Sequence, residues 1–364
     1  HGNSKKKETN TDGSPDQNVF DIMQGISINF FVKNNKKTKH ELGSVFHFDL
    51  YGKRDFKYRY LLHNTLNTTP YKSVSIIPPY YLFVPKDYGN LLNYEKGFSI
   101  NELFKVGNSG VVTKRDKLNI HENPQNVIQM IKDVLNLDES LCRKKYSIPA
   151  DVRDWNFRLA RKDINDVKQD PNLIRSINYR PFDKKYFFYT GRSKGVVGWP
   201  VSVVSDHLVH QDNLGFMTNK KVEIGEFGHC FIFRGIVESH AVSMKEINYV
   251  FPLYLYHLEA NPETRQFSYQ RLPNFRQDVI SRIEECLGLT FISEKHTEEF
   301  SFAPIDLLDF IYAVLYSRKF RKKFKEFLKV DFPRIPYPNS QEKFWQLGKL
   351  GSDLRQIHLL ESPI

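Results

Sequence analysis

Apolar residues fall in short β-rich runs between residues 172 and 258, and at helical spacing beyond residue 277. Tyr186-Phe187-Phe188-Tyr189, Leu214-Gly215-Phe216-Met217 and Cys230-Phe231-Ile232-Phe233 each read as a strand between turn residues. A short helix is expected to interrupt them, opened by Pro200 and running to about His210. Later helices are expected at Gln277–Leu287, stopped by Gly288, then at 305–316 and at 318–330, where Pro333 bars continuation. Strands followed by helices point to an α+β fold.

The first 145 residues are organised differently. Gly25-Ile26-Ser27-Ile28-Asn29-Phe30-Phe31-Val32 and Val45-Phe46-His47-Phe48-Asp49-Leu50-Tyr51 read as two strands of a hairpin, with Asn34-Asn35-Lys36-Lys37 as the turn. Two strands alone do not make a stable domain, so this stretch is expected to need a preceding part. The chain starts at His1 with no apolar signal region before Phe20, and it reads as trimmed or partial. Residues 71–120 are irregular and proline-rich. Asn123-Pro124 then opens a helix with Val127, Ile128, Ile131, Val134 and Leu135 on one face.

Composition narrows the function classes. The chain has 364 residues, 53 Lys plus Arg against 42 Asp plus Glu, and a formal charge of +11. With mean hydropathy -0.50, no stretch approaches the roughly 20 apolar residues of a membrane span. Cys142, Cys230 and Cys286 lie far apart, which excludes a disulfide scaffold or cysteine zinc site and fits a reducing cytosol. A basic, aromatic-rich chain suits a polyanion, and a merely basic surface explains the charge equally well.

No G-x-x-x-x-G-K-[ST], G-x-G-x-x-G or H-E-x-x-H is present. His207 and His210 are spaced as a metal pair but lack a third ligand, and ordinary helix-end histidines are the better reading. His229 and Cys230 face opposite sides of a predicted strand, against a joint catalytic role. Ile77-Pro78-Pro79-Tyr80 is close to the [DNS]-P-P-[YFW] loop of amino-methyltransferases, but Ile77 cannot accept the target amino group's hydrogen bond. It reads as a rigid connector. The stretch 318–329 has seven cations, one acid and a stripe of Phe320, Phe324, Phe327 and Leu328. It reads as a helix packed by its aromatics with a solvated basic face.

Four loops combine glycine, hydroxyls and cations: 107–117 with Lys114, Arg115 and Lys117; 190–195 with Arg192 and Lys194; 218–221 with Lys220 and Lys221; and 234–240 with Arg234 and His240. Such loops bring backbone and cations close to phosphates or base edges, and plain hairpin turns have the same composition. The last three recur within one β-rich region and are expected at one rim. Arg180 and Asp183 read as structural, joined in a local ion pair.

Several stretches in order resemble the large single-chain type ISP restriction-modification enzymes and their adenine-methyltransferase relatives. His1-Gly2-Asn3-Ser4-Lys5-Lys6-Lys7-Glu8 and Asn18-Val19-Phe20-Asp21-Ile22-Met23-Gln24-Gly25-Ile26 resemble the late part of their methyltransferase domain. Ser109-Gly110-Val111-Val112-Thr113-Lys114-Arg115-Asp116-Lys117 resembles the entry to their target recognition domain. Tyr179-Arg180-Pro181-Phe182-Asp183, Phe251-Pro252-Leu253-Tyr254-Leu255-Tyr256, Ile311-Tyr312-Ala313-Val314-Leu315, 327–336 and Leu359-Leu360-Glu361-Ser362-Pro363 resemble later stretches.

The resemblance implies a remnant of an α/β methyltransferase sheet (1–75), a connector with one helix (76–145), a β-rich target recognition domain (146–300) and a C-terminal helical part (301–364). It implies a cytoplasmic module that recognises duplex DNA for an N6-adenine DNA methyltransferase and is not catalytic alone. The cofactor loop, with any helicase and nuclease, then lies upstream. Arg192, Lys194, Lys220 and Lys221 are the expected DNA contacts, with Lys114, Arg115 and Lys117 nearer the methyltransferase junction. The rival readings are a methyltransferase active as it stands, using Pro78-Pro79-Tyr80, and a single-strand-binding or protein-interaction module. S-adenosylmethionine is implied for the full-length enzyme, but no cofactor is expected in this chain. Calorimetric titration with S-adenosylmethionine should give no heat of binding, and a micromolar isotherm would refute the expectation.

Overall fold

The computed structural model describes residues 1–363 except 5, 34–37, 39, 210–211, 224, 261–266 and 297–299. The chain divides into two compact units, His1–Tyr88 and Gly89–Ile364. Residues of the expected connector, 76–145, are therefore shared between the units.

In the first unit the strand Val45–His47 pairs antiparallel with Lys72–Val74, and the helix Arg54–His63 lies between them in sequence. The hairpin expected between 25–32 and 45–51 does not form. Residues 25–32 form no regular secondary structure, and Phe30, Phe31 and Val32 are 64%, 82% and 86% exposed. An alternating apolar pattern becomes a strand only where a neighbour supplies backbone partners. The second strand stops at His47, after which Phe48 stacks on Tyr60 of the helix at 5.5 Å. The expected turn at 34–37 lies outside the described residues. Lys57 anchors this unit: its ammonium, 4% exposed, meets Asp16 Oδ2 and Gln17 O, each at 2.8 Å. In Ile77-Pro78-Pro79-Tyr80 the last three residues form a turn, and no strand follows before Phe98.

The second unit is mixed α+β. Its first core is a sheet in the order Asp183–Phe188, Ile174–Arg180, Ile236–Val237, packed beside the helices Pro124–Asn136, Glu139–Tyr146 and Phe157–Asp166. The Asn123 side chain caps the first helix by accepting the Asn126 N–H at 2.9 Å. Val127, Met130, Ile131 and Val134 then fall on one face and pack into the core with Trp155, Phe187 and Phe188.

The second core surrounds a four-stranded sheet, ordered Asn108–Ser109, Asn248–Pro252, Leu214–Asn219, Cys230–Arg234. Met217, Phe231, Phe233 and Val250 pack with Val204 and Leu208. Phe216 and Phe251 are also buried, and Phe251 meets Phe104 at 5.0 Å and Phe332 at 5.9 Å. A separate hairpin pairs Tyr254–Ala260 with Phe267–Pro273.

The helix expected at 200–210 shrinks to Ser202–Ser205, and His210 lies outside the described residues. His207 is not part of that helix; its Nδ1 accepts the Tyr256 N–H at 3.0 Å. The helix expected at 318–330 stops at Lys323. Phe324 and Phe327 turn inward against Tyr94 at 5.0 and 5.1 Å.

The sequence reading missed the helices Arg54–His63, Glu139–Tyr146, Phe157–Asp166 and Gln341–His358. The last contains Gly348 and Gly351, which weaken a helical pattern. Gly351 is needed because a Cβ there would lie 1.8 Å from the Asp309 carbonyl oxygen of the helix Pro304–Tyr316. The buried pair Arg355 and Asp309, at 2.7 and 3.0 Å, locks the same crossing. Gly351→Ala gains about 1 kcal/mol of helix propensity but forces two backbones apart. The clash dominates, and thermal melts should show a net loss of about 1–3 kcal/mol.

Candidate nucleic-acid interface

The chain leaves Asp183–Phe188 into the loop 190–195. Asp163, on the helix Phe157–Asp166 and 4% exposed at its side chain, organises that loop. Its Oδ2 accepts from Thr190 Oγ1 at 2.8 Å and from the Val196 N–H at 3.0 Å. Gly195 has no room for a Cβ, which would meet this carboxylate at 2.1 Å. Arg192 is about half exposed, its guanidinium 3.7 Å from both Asp163 and Asp166. The carboxylates thus brace Arg192 while leaving part of it in solvent. Lys194 is exposed, and its backbone N–H donates to Gly198 O at 3.1 Å.

The loop after Asn108–Ser109 joins this one. Gly198 N–H donates to Thr113 O, and Val112 and Trp199 exchange two backbone hydrogen bonds at 2.9 and 3.0 Å. Lys114 reaches across, its ammonium 4.3 Å from the centre of the Trp199 ring. Arg115 turns inward. It donates to Lys114 O and Ala150 O, each at 2.8 Å, and lies 4.7 Å over the Trp155 ring. Burial lowers its pKa from the usual arginine value. Asp116 is held by Thr113 Oγ1 and the Tyr179 hydroxyl, while Lys117 points to solvent.

The four-stranded sheet sets where the remaining loops emerge. Asn108–Ser109 and Leu214–Asn219 both run antiparallel to Asn248–Pro252, so both end at the same sheet end. Gly110 N–H donates there to Asn248 O. Lys220 and Lys221 follow from that end. Lys220 lies 3.8 Å from Asp331 and 5.7 Å from the Phe332 ring centre, and Lys221 is exposed. Val222 N–H donates to Lys329 O at 3.1 Å, which ties this loop to the segment carrying exposed Lys322, Lys323 and Lys325. Beneath Lys220, Thr218 and Asn219 are fully buried, and their side-chain polar atoms find no hydrogen-bond partner among the described residues. Such orphan groups oppose stability at the sheet end from which the cations project.

The single rim expected for the loops 190–195, 218–221 and 234–240 is not what forms. Arg234 pairs with Leu214 at the far end of the sheet, 2.6 Å from Glu361. A loop that follows a strand antiparallel to its neighbour must leave at the opposite end. Arg180 is structural as expected, but its ion partner is Glu238 at 3.1 Å, while Asp183 lies 3.8 Å from Lys185. Cys230 is fully buried, and burial pushes its thiol up to about 11, against a nucleophilic role. Among the described residues, no three His, Cys, Asp or Glu side chains are placed to hold a metal ion. Nor is any helix of the described residues long and apolar enough to cross a membrane.

Sequence reasoning missed Asp163 and Trp199. Neither the burial of one nor the exposure of the other has a local signature. The inward fold of Arg115 predicts a separation within the 107–117 loop. Arg115→Ala removes two hydrogen bonds to backbone carbonyls and a cation–π interaction, and should destabilise the chain by about 2 kcal/mol. Lys117→Ala should leave the thermal melt unchanged.

The fold has relatives among solved structures. A DrdV–DNA complex matches 87% of this chain at 16% identity and TM-score 0.56, covering 30% of its own chain. The ATP-dependent Type ISP restriction-modification enzyme LlaBIII bound to DNA matches 96% of this chain at 18% identity and TM-score 0.63, covering 22% of its own chain. A nuclease-deletion mutant of the Type ISP enzyme LlaGI, in complex with a DNA substrate mimic, matches 89% at 19% identity and TM-score 0.55, covering 28%. The chain therefore spans less than a third of the length of each. No curated protein matches it. The sequence profile of the Type ISP C-terminal specificity domain matches residues 102–363, which takes in every loop of the sheet end described above. By that match over most of its length, the chain belongs to the Type ISP C-terminal specificity domain family.

Proposed function

We propose that this chain recognises a specific duplex DNA sequence on behalf of an N6-adenine DNA methyltransferase of a restriction-modification system, in the cytoplasm. Membership of a specificity-domain family supports the reading. So do the three similar structures, each described as a complex with DNA or a DNA mimic. The observation that carries it is charge placement. In the loop platform Asp163 turns onto Thr190 and Val196 and Asp116 onto Thr113 and Tyr179, while Asp166 and Asp331 stay partly exposed beside Arg192 and Lys220. Lys114, Lys117, Lys194, Lys220 and Lys221 reach the surface from two neighbouring loop groups.

Each outward ammonium suits a phosphate, which positions a duplex without reading it. Arg192 has the chemistry to read. About half exposed beside two carboxylates, its guanidinium keeps N–H groups in solvent, where a bidentate contact to guanine can be made. Methyl transfer, with S-adenosylmethionine, and any helicase and nuclease action are assigned to other parts of a longer parent chain.

Fluorescence anisotropy with labelled 30-base-pair duplexes, at several salt concentrations, tests the reading. The double variant Lys220→Ala/Lys221→Ala should weaken binding to all duplexes alike, and should flatten the salt slope by about 0.9 for each phosphate no longer neutralised. Arg192→Ala should relax discrimination among sequences by about 1–3 kcal/mol. Equal affinity for single strands would refute duplex recognition. An unchanged salt slope in the lysine double variant would remove those two residues from the interface.

A further inference from the structure

The loop platform presents an aromatic side chain in an unusual setting. Trp199 is 42% exposed, whereas Trp155 nearby is fully buried. Its backbone is nevertheless fixed by two hydrogen bonds to Val112. Exposure of the indole is therefore built in and does not reflect a loose loop.

The backbone around Trp199 is strained to produce this arrangement. Lys114, Lys194 and Val201 all adopt left-handed conformations, with φ of 65°, 61° and 49°. That region is costly for any residue with a Cβ, most of all a β-branched one, and such residues gather where function holds them. Gly198 is equally constrained, because a Cβ would lie 2.6 Å from Lys114 Cγ. Its absence lets Lys114 lie across the loop, with its ammonium over the indole at 4.3 Å. Lys194, on the same joined loops, is exposed and has no acidic partner among the described residues.

A part-exposed indole with the Lys114 ammonium over its ring, exposed Lys194 on the joined loop, and the neighbouring Asp163 and Asp116 turned inward, matches the chemistry of a nucleotide: a sugar and base bordered by phosphates. We propose that Trp199 packs against the sugar and base wall of a duplex DNA groove, while Lys114 and Lys194 contact the flanking phosphates. This rests on the DNA-binding reading above and adds to it a contact that is apolar and independent of salt.

Tryptophan fluorescence tests the contact without depending on a disruptive variant. The chain has three tryptophans, of which Trp155 is buried and Trp345 is 39% exposed. In a Trp345→Phe background, Trp199 is the one exposed indole. Quenching by acrylamide, which is neutral and indifferent to the lysines, should fall at least twofold when a 30-base-pair duplex is saturating by anisotropy. Trp199→Ala should weaken duplex binding roughly tenfold, the scale of one aromatic–nucleotide contact, with an unchanged salt slope. Trp199→Phe should retain most of the affinity. Lys114→Ala and Lys194→Ala should each flatten the slope by about 0.9.

Duplex binding that leaves Trp199 equally open to acrylamide would overturn the contact while leaving the DNA-binding reading intact. Full affinity in folded Trp199→Ala would do the same. Protection by polyglutamate but not by DNA would overturn it in favour of an acidic protein surface. Failure of the unaltered chain to bind any duplex would overturn both readings.

Discussion

The architecture of the second unit depends on one short piece of backbone, residues 107–112. Asn108–Ser109 adds an edge strand to Asn248–Pro252. Immediately afterwards Val111 donates to Val237 O, Ser239 donates to Val111 O, and Val112 pairs with Trp199. One six-residue segment thus meets the four-stranded sheet, the end of the three-stranded sheet and the loop platform. The approach is too close for side chains at two points. A Cβ on Gly107 would lie 2.2 Å from the Phe251 ring, and one on Gly110 would lie 2.8 Å from the Glu238 carbonyl. The glycines serve packing here, and their proximity to cations follows from where the segment leads.

Once that segment is placed, the electrostatics follow. Asp163, Asp116 and Glu238 each collect protein donors: Thr190 and Val196, Thr113 and Tyr179, Ser239 and His240 respectively. A buried carboxylate without donors is strongly unfavourable, so each of these shapes a loop as its own condition for burial. The lysines have no such requirement. Their stems lie along the surface and their ammonium groups remain in water. In the loop platform Asp163 and Asp116 are thus taken up by protein donors, while Lys117, Lys194 and Lys221 are left exposed.

The two units obey different constraints. In the second, each apolar strand finds a pairing neighbour. In the first, the 25–32 run has the composition of a strand but forms none, with its largest side chains in solvent. Order there comes from polar anchoring. Lys57 is nearly buried against Asp16, and Asp16 also accepts the Gly52 N–H at 2.7 Å. A buried ion pair is weak evidence for stability but does specify one arrangement. It fixes the helix Arg54–His63 against the N-terminal loop.

The sequence by itself determined those elements whose signals are local. The Asn123-Pro124 start caps a helix through a side chain three residues from its target, and Gly288 ends Gln277–Leu287 with φ of 62°. The runs at 186, 214 and 230 became strands because their apolar side chains require two-sided burial. The α+β class and the relation to type ISP enzymes were legible for the same reason, together with ordered short motifs. Only the tertiary structure decided which cations face solvent. Arg115 and Lys117 are two residues apart in one basic loop, yet one is folded onto Trp155 and the other is exposed. Arg234 and Lys220 come from similar loops on adjacent strands, yet lie at opposite ends of a sheet because those strands are antiparallel. The roles of Asp163 and Trp199 were equally hidden. Burial, exposure and strand direction are set by partners distant in sequence, and residue type carries no record of them.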